Sequence, residues 1–332
     1  MLELTSAAHA LMPRLCLLSV ALCLVAVELA AQQAAGPPFD ATVTAPAYPA
    51  SGARHPRVRI DEGHFNRWST RIRIEGRSYA GFAELLRNDG YVVTPDTTRF
   101  TPEGLRPYDM LIVAGAGPVP DSTWNRTNWE LESFTRDECR AVEEWVRGGG
   151  SLLLSVSHAP WGWLSRHLAA RFGVDVVSSF TGDSVLSEYP DSTRGTPGAW
   201  LTYTRQNGML VEHPIVNGRG PAERIGRVRG GGGSSIVGPT GSIGFLALRP
   251  TAFEQVFYLP PGAPDAVPVI RSAAGRAQGV AVRFGAGRVV VVSTSHLFFE
   301  SYMARPGHDN RQLALNVMHW LSGLLDPPAP VR

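Results

Sequence analysis

Three consecutive glycines, Gly148–Gly149–Gly150, lead directly into Ser151–Leu152–Leu153–Leu154–Ser155–Val156–Ser157–His158–Ala159–Pro160. A glycine run cannot cheaply prolong a helix. It can close one, because glycine takes the left-handed conformation without a Cβ penalty. Leu152–Val156 is apolar with no clean alternation, the pattern of a strand covered on both faces. Pro160 suits the first turn of another helix. A helix, a fully buried strand and a second helix in immediate succession confine the chain to an α/β fold with a parallel sheet. They also put Ser157 and His158 at a strand end, where ligands collect in open parallel sheets.

The flanking sequence repeats the theme. Val58–Asp61 is predicted as a strand, Ser78–Asp89 as a helix stopped by Gly90, and Tyr91–Val93 as a strand. Thr101 opens a helical turn, and Tyr108–Ala114 is a third strand. Thr135–Arg136–Asp137–Glu138 is a capping box, in which hydroxyl and carboxylate satisfy each other's orphan amides, ahead of a helix to Arg147. Trp161–Phe172 is predicted as one helix and Val174–Val177 as the next strand of the same right-handed parallel unit. About 178–265 breaks the rhythm and reads as a β-rich insertion of antiparallel strands extending the sheet. Gly230–Gly233 lacks a following helix and a lysine, so it reads as a flexible loop and not a phosphate cradle. Val280–Phe284 and Arg288–Val292 form a hairpin around Gly285–Ala286–Gly287. Asp309 is predicted to cap a last helix through Leu324. The expected frame is a single α/β domain over 55–325, with a mainly parallel sheet, helices on both faces, the β-rich insertion and a short tail at 326–332.

All 31 basic residues are Arg, which excludes lysine-based chemistry. The formal charge of +2 gives no field toward nucleic acid. Residues 1–31 are predicted as a secretory signal: Arg14 supplies the charge, Leu15–Val27 the apolar core and Ala30–Ala31 the exit, with Met12 an alternative start. That core is shorter than the roughly 20 residues a membrane span needs, so no transmembrane segment is expected in the mature chain. The destination is the periplasm or the exterior. Residues 32–54 read as a flexible linker. Removal of the signal leaves Cys139 alone, with no disulfide partner, inside a helix.

Three predicted strands share an ending: Asp61–Glu62–Gly63–His64, Ser155–Val156–Ser157–His158 and Thr294–Ser295–His296. If they point the same way, His64, His158 and His296 meet at one rim, with Asp61, Glu62, Asn66, Asp309 and Asn310 beside them. Imidazoles with a carboxylate suit zinc or another divalent metal, or acid–base work. Candidate catalytic residues are His158, His296, Asp61, Glu62 and Ser157. Candidate ligand contacts are His64, Asn66, His158, Trp161, His296, Asp309 and Asn310. Candidate metal ligands are His64, His158 and His296. Ser157 lacks the flanking glycines of a nucleophile elbow. Arg71, Arg73 and Arg77 could grip an anion but read first as a solvated loop, and His167 and His319 read as structural.

The segments Ile60–Asn66, Gly149–Pro160, Glu212–Ile215, Gly287–His296, Asp309–Arg311 and Asn316–Trp320 resemble the uncharacterised bacterial glutamine-amidotransferase-like domains of flavodoxin-like topology. More distantly they resemble the trehalose-utilisation-protein-like family. Classical amidotransferases of that superfamily carry a catalytic Cys on the turn after the strand matched here by Leu152–Val156. Here the turn holds Ser157–His158, so the resemblance implies no glutaminase activity. The trehalose-utilisation-like domains are similar in having a His at the positions matched by His158 and His296, which implies a sugar or glycan ligand. Three functions follow as expectations. The first is an exported protein binding a polar small molecule or glycan at the rim. The second is a hydrolase, metal-assisted or not, using the same histidines. The third is a scaffold for a protein partner in the cell envelope.

Overall fold

The computed structural model describes residues 39–52, 54–71, 76, 78–120, 123, 131–159, 161–183, 185, 200–258 and 267–327. The predicted signal and the first part of the linker lie outside them, as do Arg73, Arg77, Pro160 and most of the tail. Phe39–Arg332 forms one compact unit.

The chain runs β1 (Arg57–Asp61), α1 (Ala80–Asn88), β2 (Val92–Asp96), α2 (Pro102–Leu105), β3 (Met110–Ala114), α3 (Arg136–Arg147) and β4 (Ser151–Ser155). Next come α4 (Trp161–Leu164), α5 (Arg166–Ala170), β5 (Asp175–Val177), β6 (Ser179–Asp183), β7 (Leu201–Thr204), α6 (Pro214–Asn217) and β8 (Arg227–Gly230). Then follow β9 (Ser235–Val237), β10 (Ile243–Ala247), β11 (Ala252–Tyr258), β12 (Val267–Ser272), β13 (Ala277–Phe284), β14 (Gly287–Val292), α7 (Glu300–Met303) and α8 (Asn310–Leu321).

The fold is mixed α/β around a nine-stranded sheet in the order β2-β1-β3-β4-β14-β13-β9-β5, with β10 added on β13. From β2 to β14 all pairings are parallel. Beyond β14 they are antiparallel. Alternate side chains divide the core between the two sheet faces. Ile60, Ile112, Leu153 and Val290 share one apolar cluster with Phe82, Leu85 and Leu86 of α1 and Leu313 and Val317 of α8. Leu111, Val113, Leu152, Leu154, Val289 and Val291 share the other with Val142 and Val146 of α3 and Leu168 of α5. β3 and β4 are buried at every position, which is why Met110–Ala114 and Leu152–Leu154 read as apolar runs without alternation.

Several expectations need correction. The strand at Val174–Val177 does not continue the parallel unit. β5 lies at the far edge, antiparallel to β9, and the place beside β4 goes to β14, the second arm of the hairpin. The valine run of β14 is buried at Val289–Val292 and competes better for the centre than the three-residue β5. The insertion only partly extends the sheet: β6, β11 and β12 form a separate three-stranded sheet and β7 and β8 a two-stranded one. It also runs past 265, to Ser272. The Trp161–Phe172 helix is broken at Ser165. Asp309 precedes α8 but makes no cap bond to it, because its Oδ2 accepts from Gly226 N at 2.7 Å and Arg227 N at 2.9 Å.

The linker expectation also fails from residue 39 onward. Phe39, Val43 and Tyr48 pack against the first apolar cluster and Ala41 is buried in it. Asn88 Nδ2 donates to Ala41 O at 2.9 Å, and Asp89 Oδ1 accepts from Ala47 N at 2.8 Å. Small and proline residues hid an extended strap whose side chains alternate onto the α1–α8 face. Gly230–Gly233 is likewise packed, not flexible. All four glycines are buried, and a Cβ on Gly233 would sit 1.9 Å from Ser293 O. Among the described residues no helix is long and apolar enough to cross a membrane.

Candidate functional site

In the sheet order the chain leaves β1 for β2 on one side and then passes to β3 on the other. Connections therefore diverge above β1 and β3 and leave a crevice at their C-terminal ends. The loop after β1 is fixed from below by Asp61, whose side chain is wholly buried. Its carboxylate faces His64 Nδ1 at 2.8 and 3.0 Å, and it accepts from Asn66 Nδ2 at 2.9 Å and Gly63 N at 3.2 Å. His64 N donates to Asn66 Oδ1 at 3.0 Å. The neighbouring turn is stitched on through Gly117 N to His64 O at 2.7 Å and Arg67 N to Gly115 O at 2.9 Å. Phe65, held in this frame, has φ of 45° and is 44% exposed. Among the described residues it is the one non-glycine with positive φ. A large apolar side chain kept in the left-handed region and turned to solvent is a strained arrangement of the kind found at binding sites.

The crevice has a volume of about 280 Å³ and is lined by Glu62, Phe65, Asn66, Arg67, Ser69, Arg71 and Pro120. Glu62 is held inside it: Oε1 accepts from Thr70 N at 2.8 Å and Oγ1 at 2.5 Å, and Oε2 lies 2.7 Å from Arg71 Nε. The Arg67 guanidinium stacks over the Trp161 ring at 4.5 Å and the Trp68 ring at 5.2 Å. Trp161 in turn meets the His158 ring edge-on at 5.6 Å. His158 stacks on Phe180 with centroids 4.2 Å apart. Its Nδ1 faces Ala159 O at 2.7 Å and must carry the proton there, which leaves Nε2 as an acceptor. Burial, helped by the Arg67 charge, holds its pKa below the usual histidine value, against the bond to Ala159. His158 is thus a neutral imidazole beside a cation–aromatic stack.

The three rim histidines do not converge. Among the described residues no three His, Cys, Asp or Glu side chains form a group able to hold a metal ion. His64 is fully buried, with Nδ1 on Asp61 and Nε2 2.9 Å from Glu138 Oε1, between the rings of Phe100 and Phe134. Neither nitrogen can reach a ligand, so His64 is a brace and not a contact. Glu138 belongs to the capping box of α3. Burial raises its pKa, but bonds from Thr135 and His64 outweigh that and leave it below the ordinary carboxylate value. The spacing Asp61–His64 was legible in the sequence; its closure onto Glu138, 74 residues on, was not.

His296 occupies a different cluster, with ring centroids 5.0 Å from Phe299, 5.4 Å from Tyr302 and 5.7 Å from Trp200. Gly231 packs on its ring so closely that a Cβ would come within 2.8 Å of Nδ1. Asn310 is buried and spent on the backbone: Oδ1 accepts from Arg229 N at 3.0 Å, and Nδ2 donates to Arg229 O at 2.8 Å and Leu297 O at 3.3 Å. With Asp309 it pins β8 to α8, and Asn310 has no side-chain group left for a ligand. Ser157 is only 3% exposed, does not take the strained turn of a nucleophile elbow, and accepts through its carbonyl from Ser234 Oγ at 2.8 Å. His319 is structural as expected, with Nε2 2.7 Å from Asp89 Oδ2. Sequence reasoning passed over Phe65 and Arg67. The adjacent Asn66–Arg67–Trp68 run was the available signal.

Residues 78–318 match the family described as "Domain of unknown function (DUF4350)". The chain belongs to that family. No curated protein matches the chain. The mmIFT52 N-terminal domain superposes with a TM-score of 0.54 at 14% identity, covering 83% of this chain and 99% of that one, and shares the fold alone. A ThuA-like protein from Bacteroides uniformis ATCC 8492 gives 0.40 at 15% identity, over 83% and 95% of the two chains. A GMP synthase protein from Thermoplasma acidophilum gives 0.41 at 12%, over 82% and 94%. At those scores neither likeness carries an argument about this chain. Membership of a domain family of unknown function agrees with the expectation of an uncharacterised family.

Proposed function

We propose that this DUF4350 domain is an exported, non-glutaminase binding module that holds a polar small molecule or glycan in the β1–β3 crevice of a flavodoxin-like, three-layer frame. The observation that carries the reading is Phe65, exposed and in a left-handed conformation, in the lining of a crevice where the strand order reverses. The exposed Phe65 ring suits the apolar face of a sugar ring, Arg67 is held over the Trp161 ring, and the Arg67 and Arg71 guanidinium groups line the crevice as donors for its hydroxyls. The rim centres on His158 and the loop after β1 in this reading, with His64 as its brace. The absence of a Cys at Ser157 argues against glutaminase chemistry. Export rests on residues 1–31 as a signal and is tested by N-terminal sequencing of the secreted chain.

The binding test is a thermal-shift screen of mono- and oligosaccharides, with hits confirmed by calorimetry. A hit whose affinity falls at least about tenfold in Phe65→Ala and Trp161→Ala supports the reading, since an aromatic stacking contact contributes roughly 1–3 kcal/mol. Binding unaffected by both substitutions would place the ligand elsewhere and overturn it.

A further inference from the structure

We infer that Glu138, a residue of α3 that lines no part of the crevice, is a positioning residue for it and acts through His64. The inference rests on the binding reading above. Asn66 is the point at which the buried network reaches the crevice. Its Nδ2 donates to Asp61 Oδ2 at 2.9 Å, and its Oδ1 accepts from His64 N at 3.0 Å. The His64 ring faces Asp61 through Nδ1 at 2.8 Å and Glu138 through Nε2 at 2.9 Å. Phe100 and Phe134 flank that ring, with centroids 4.5 and 4.7 Å away. Phe65, with φ of 45°, stands between His64 and Asn66, so the network holds both of its neighbours. A left-handed conformation at such a residue persists only where the surroundings over-determine it. Asp61 and Asn66 belong to β1 and to the loop itself, whereas Glu138 brings in a separate element 74 residues on.

The two Glu138 oxygens have different tasks. Oε2 accepts from Thr135 N and Oγ1 at 2.9 Å each and closes the capping box. Oε1 turns to His64 and, more weakly, to Phe100 N at 3.4 Å. Glu138 also lines a second cavity, of about 460 Å³, with Arg99, Glu132 and Thr135. The crevice and that cavity stand at the two ends of one hydrogen-bonded network, Asn66–Asp61–His64–Glu138. A shift of Glu138 on the α3 side therefore reaches the frame of Phe65 on the other.

The test compares three variants of the full chain by hydrogen exchange and by calorimetry with methyl glucoside as the probe. Glu138→Asp is one methylene shorter: it keeps a carboxylate at the helix start and withdraws it from His64. Glu138→Gln keeps the length and a group that can hydrogen-bond the imidazole. Thr135→Ala removes the hydroxyl cap and leaves Glu138 Oε1 on His64. Thr135→Ala is expected to speed exchange in the first turn of α3 and to leave residues 62–69 and methyl glucoside affinity as in the parent. Glu138→Asp is expected to speed exchange over residues 62–69 at least about tenfold, and to weaken methyl glucoside binding at least about tenfold. Glu138→Gln is expected to restore both to within about threefold of the parent. Unchanged exchange over 62–69 in Glu138→Asp overturns the inference. So does an equal rise in Thr135→Ala, which would make the helix cap and not the His64 contact the controlling feature. Methyl glucoside binding that is lost in Phe65→Ala and kept in Glu138→Asp overturns the inference and leaves the binding reading standing. A parent chain that does not bind methyl glucoside, with exchange over 62–69 raised in Glu138→Asp alone, supports the positioning role and counts against the sugar reading.

Discussion

His64 Nε2 lies 2.9 Å from Glu138 Oε1, so a strand-end histidine and the first turn of a helix 74 residues away form one buried unit. With Asp61 on the other ring nitrogen, the imidazole joins two carboxylates and fixes the loop that presents Phe65 and Arg67. His64→Ala would take the ring nitrogens away from the wholly buried Asp61, which keeps only Asn66 and Gly63, and from Glu138. Leaving buried acceptors short of a partner costs about 1–3 kcal/mol. Urea denaturation should show a loss of that order. A loss under about 1 kcal/mol would mean that the unit does not brace the loop.

His213 makes stability depend on pH. Burial, with a smaller contribution from the Arg283 charge, lowers its pKa to about 4, and its Nδ1 accepts from Ile215 N at 3.1 Å. The unfolded chain binds a proton near the ordinary value of 6.5 while the folded chain does not. The contribution is therefore complete above about 6.5 and is lost as pH falls toward about 4, on the order of 3 kcal/mol across that window. Glu132, raised to about 7 by burial despite Arg166, acts in the opposite sense as pH rises, so the readout is a difference between variants. His213→Asn, which keeps a capping acceptor, should flatten the acid limb of the melting-temperature profile relative to the parent chain.

Gly233 is required by space and not by backbone angle. An alanine there would press its Cβ into the Ser293 carbonyl. Overpacking against immobile backbone costs typically 1–3 kcal/mol, and Gly233→Ala should lower the melting temperature accordingly. Gly220→Ala, at a glycine whose Cβ would meet nothing within 4 Å, should stay within about 0.5 kcal/mol of the parent. Equal effects at the two sites would show that the glycine loop is not packed as described.

The strap over residues 39–52 is part of the domain. A chain beginning at residue 54 loses the packing of Phe39, Ala41, Val43 and Tyr48 on the α1–α8 face and the bond from Ala47 N to Asp89. Burial of even one such side chain contributes roughly 1.5–3 kcal/mol. The shortened chain should melt well below the chain starting at residue 39, with hydrogen exchange increased over α1. Identical melting curves would restore the view of this segment as a tether.

The sequence by itself determined the local elements and the type of fold. The capping box at Thr135, the buried run at Leu152 and the valine hairpin all signal through nearest neighbours, and each formed where its pattern placed it. The two sheet faces were legible because a strand buried on both sides has an apolar middle without alternation, as in Leu152–Leu154 and Met110–Ala114. Only the tertiary structure decided what stands beside what. The order that puts β14 next to β4, and β5 at the edge, depends on which apolar strand wins the centre, and no local pattern encodes that competition. The same holds for the histidines. Their shared strand-end spacing placed them correctly along the chain, yet packing between distant segments sent His64 into a carboxylate brace, His158 onto Phe180 and His296 among Trp200, Phe299 and Tyr302. A side chain's chemistry follows from its partners, and those partners are chosen by long-range packing after the elements have formed.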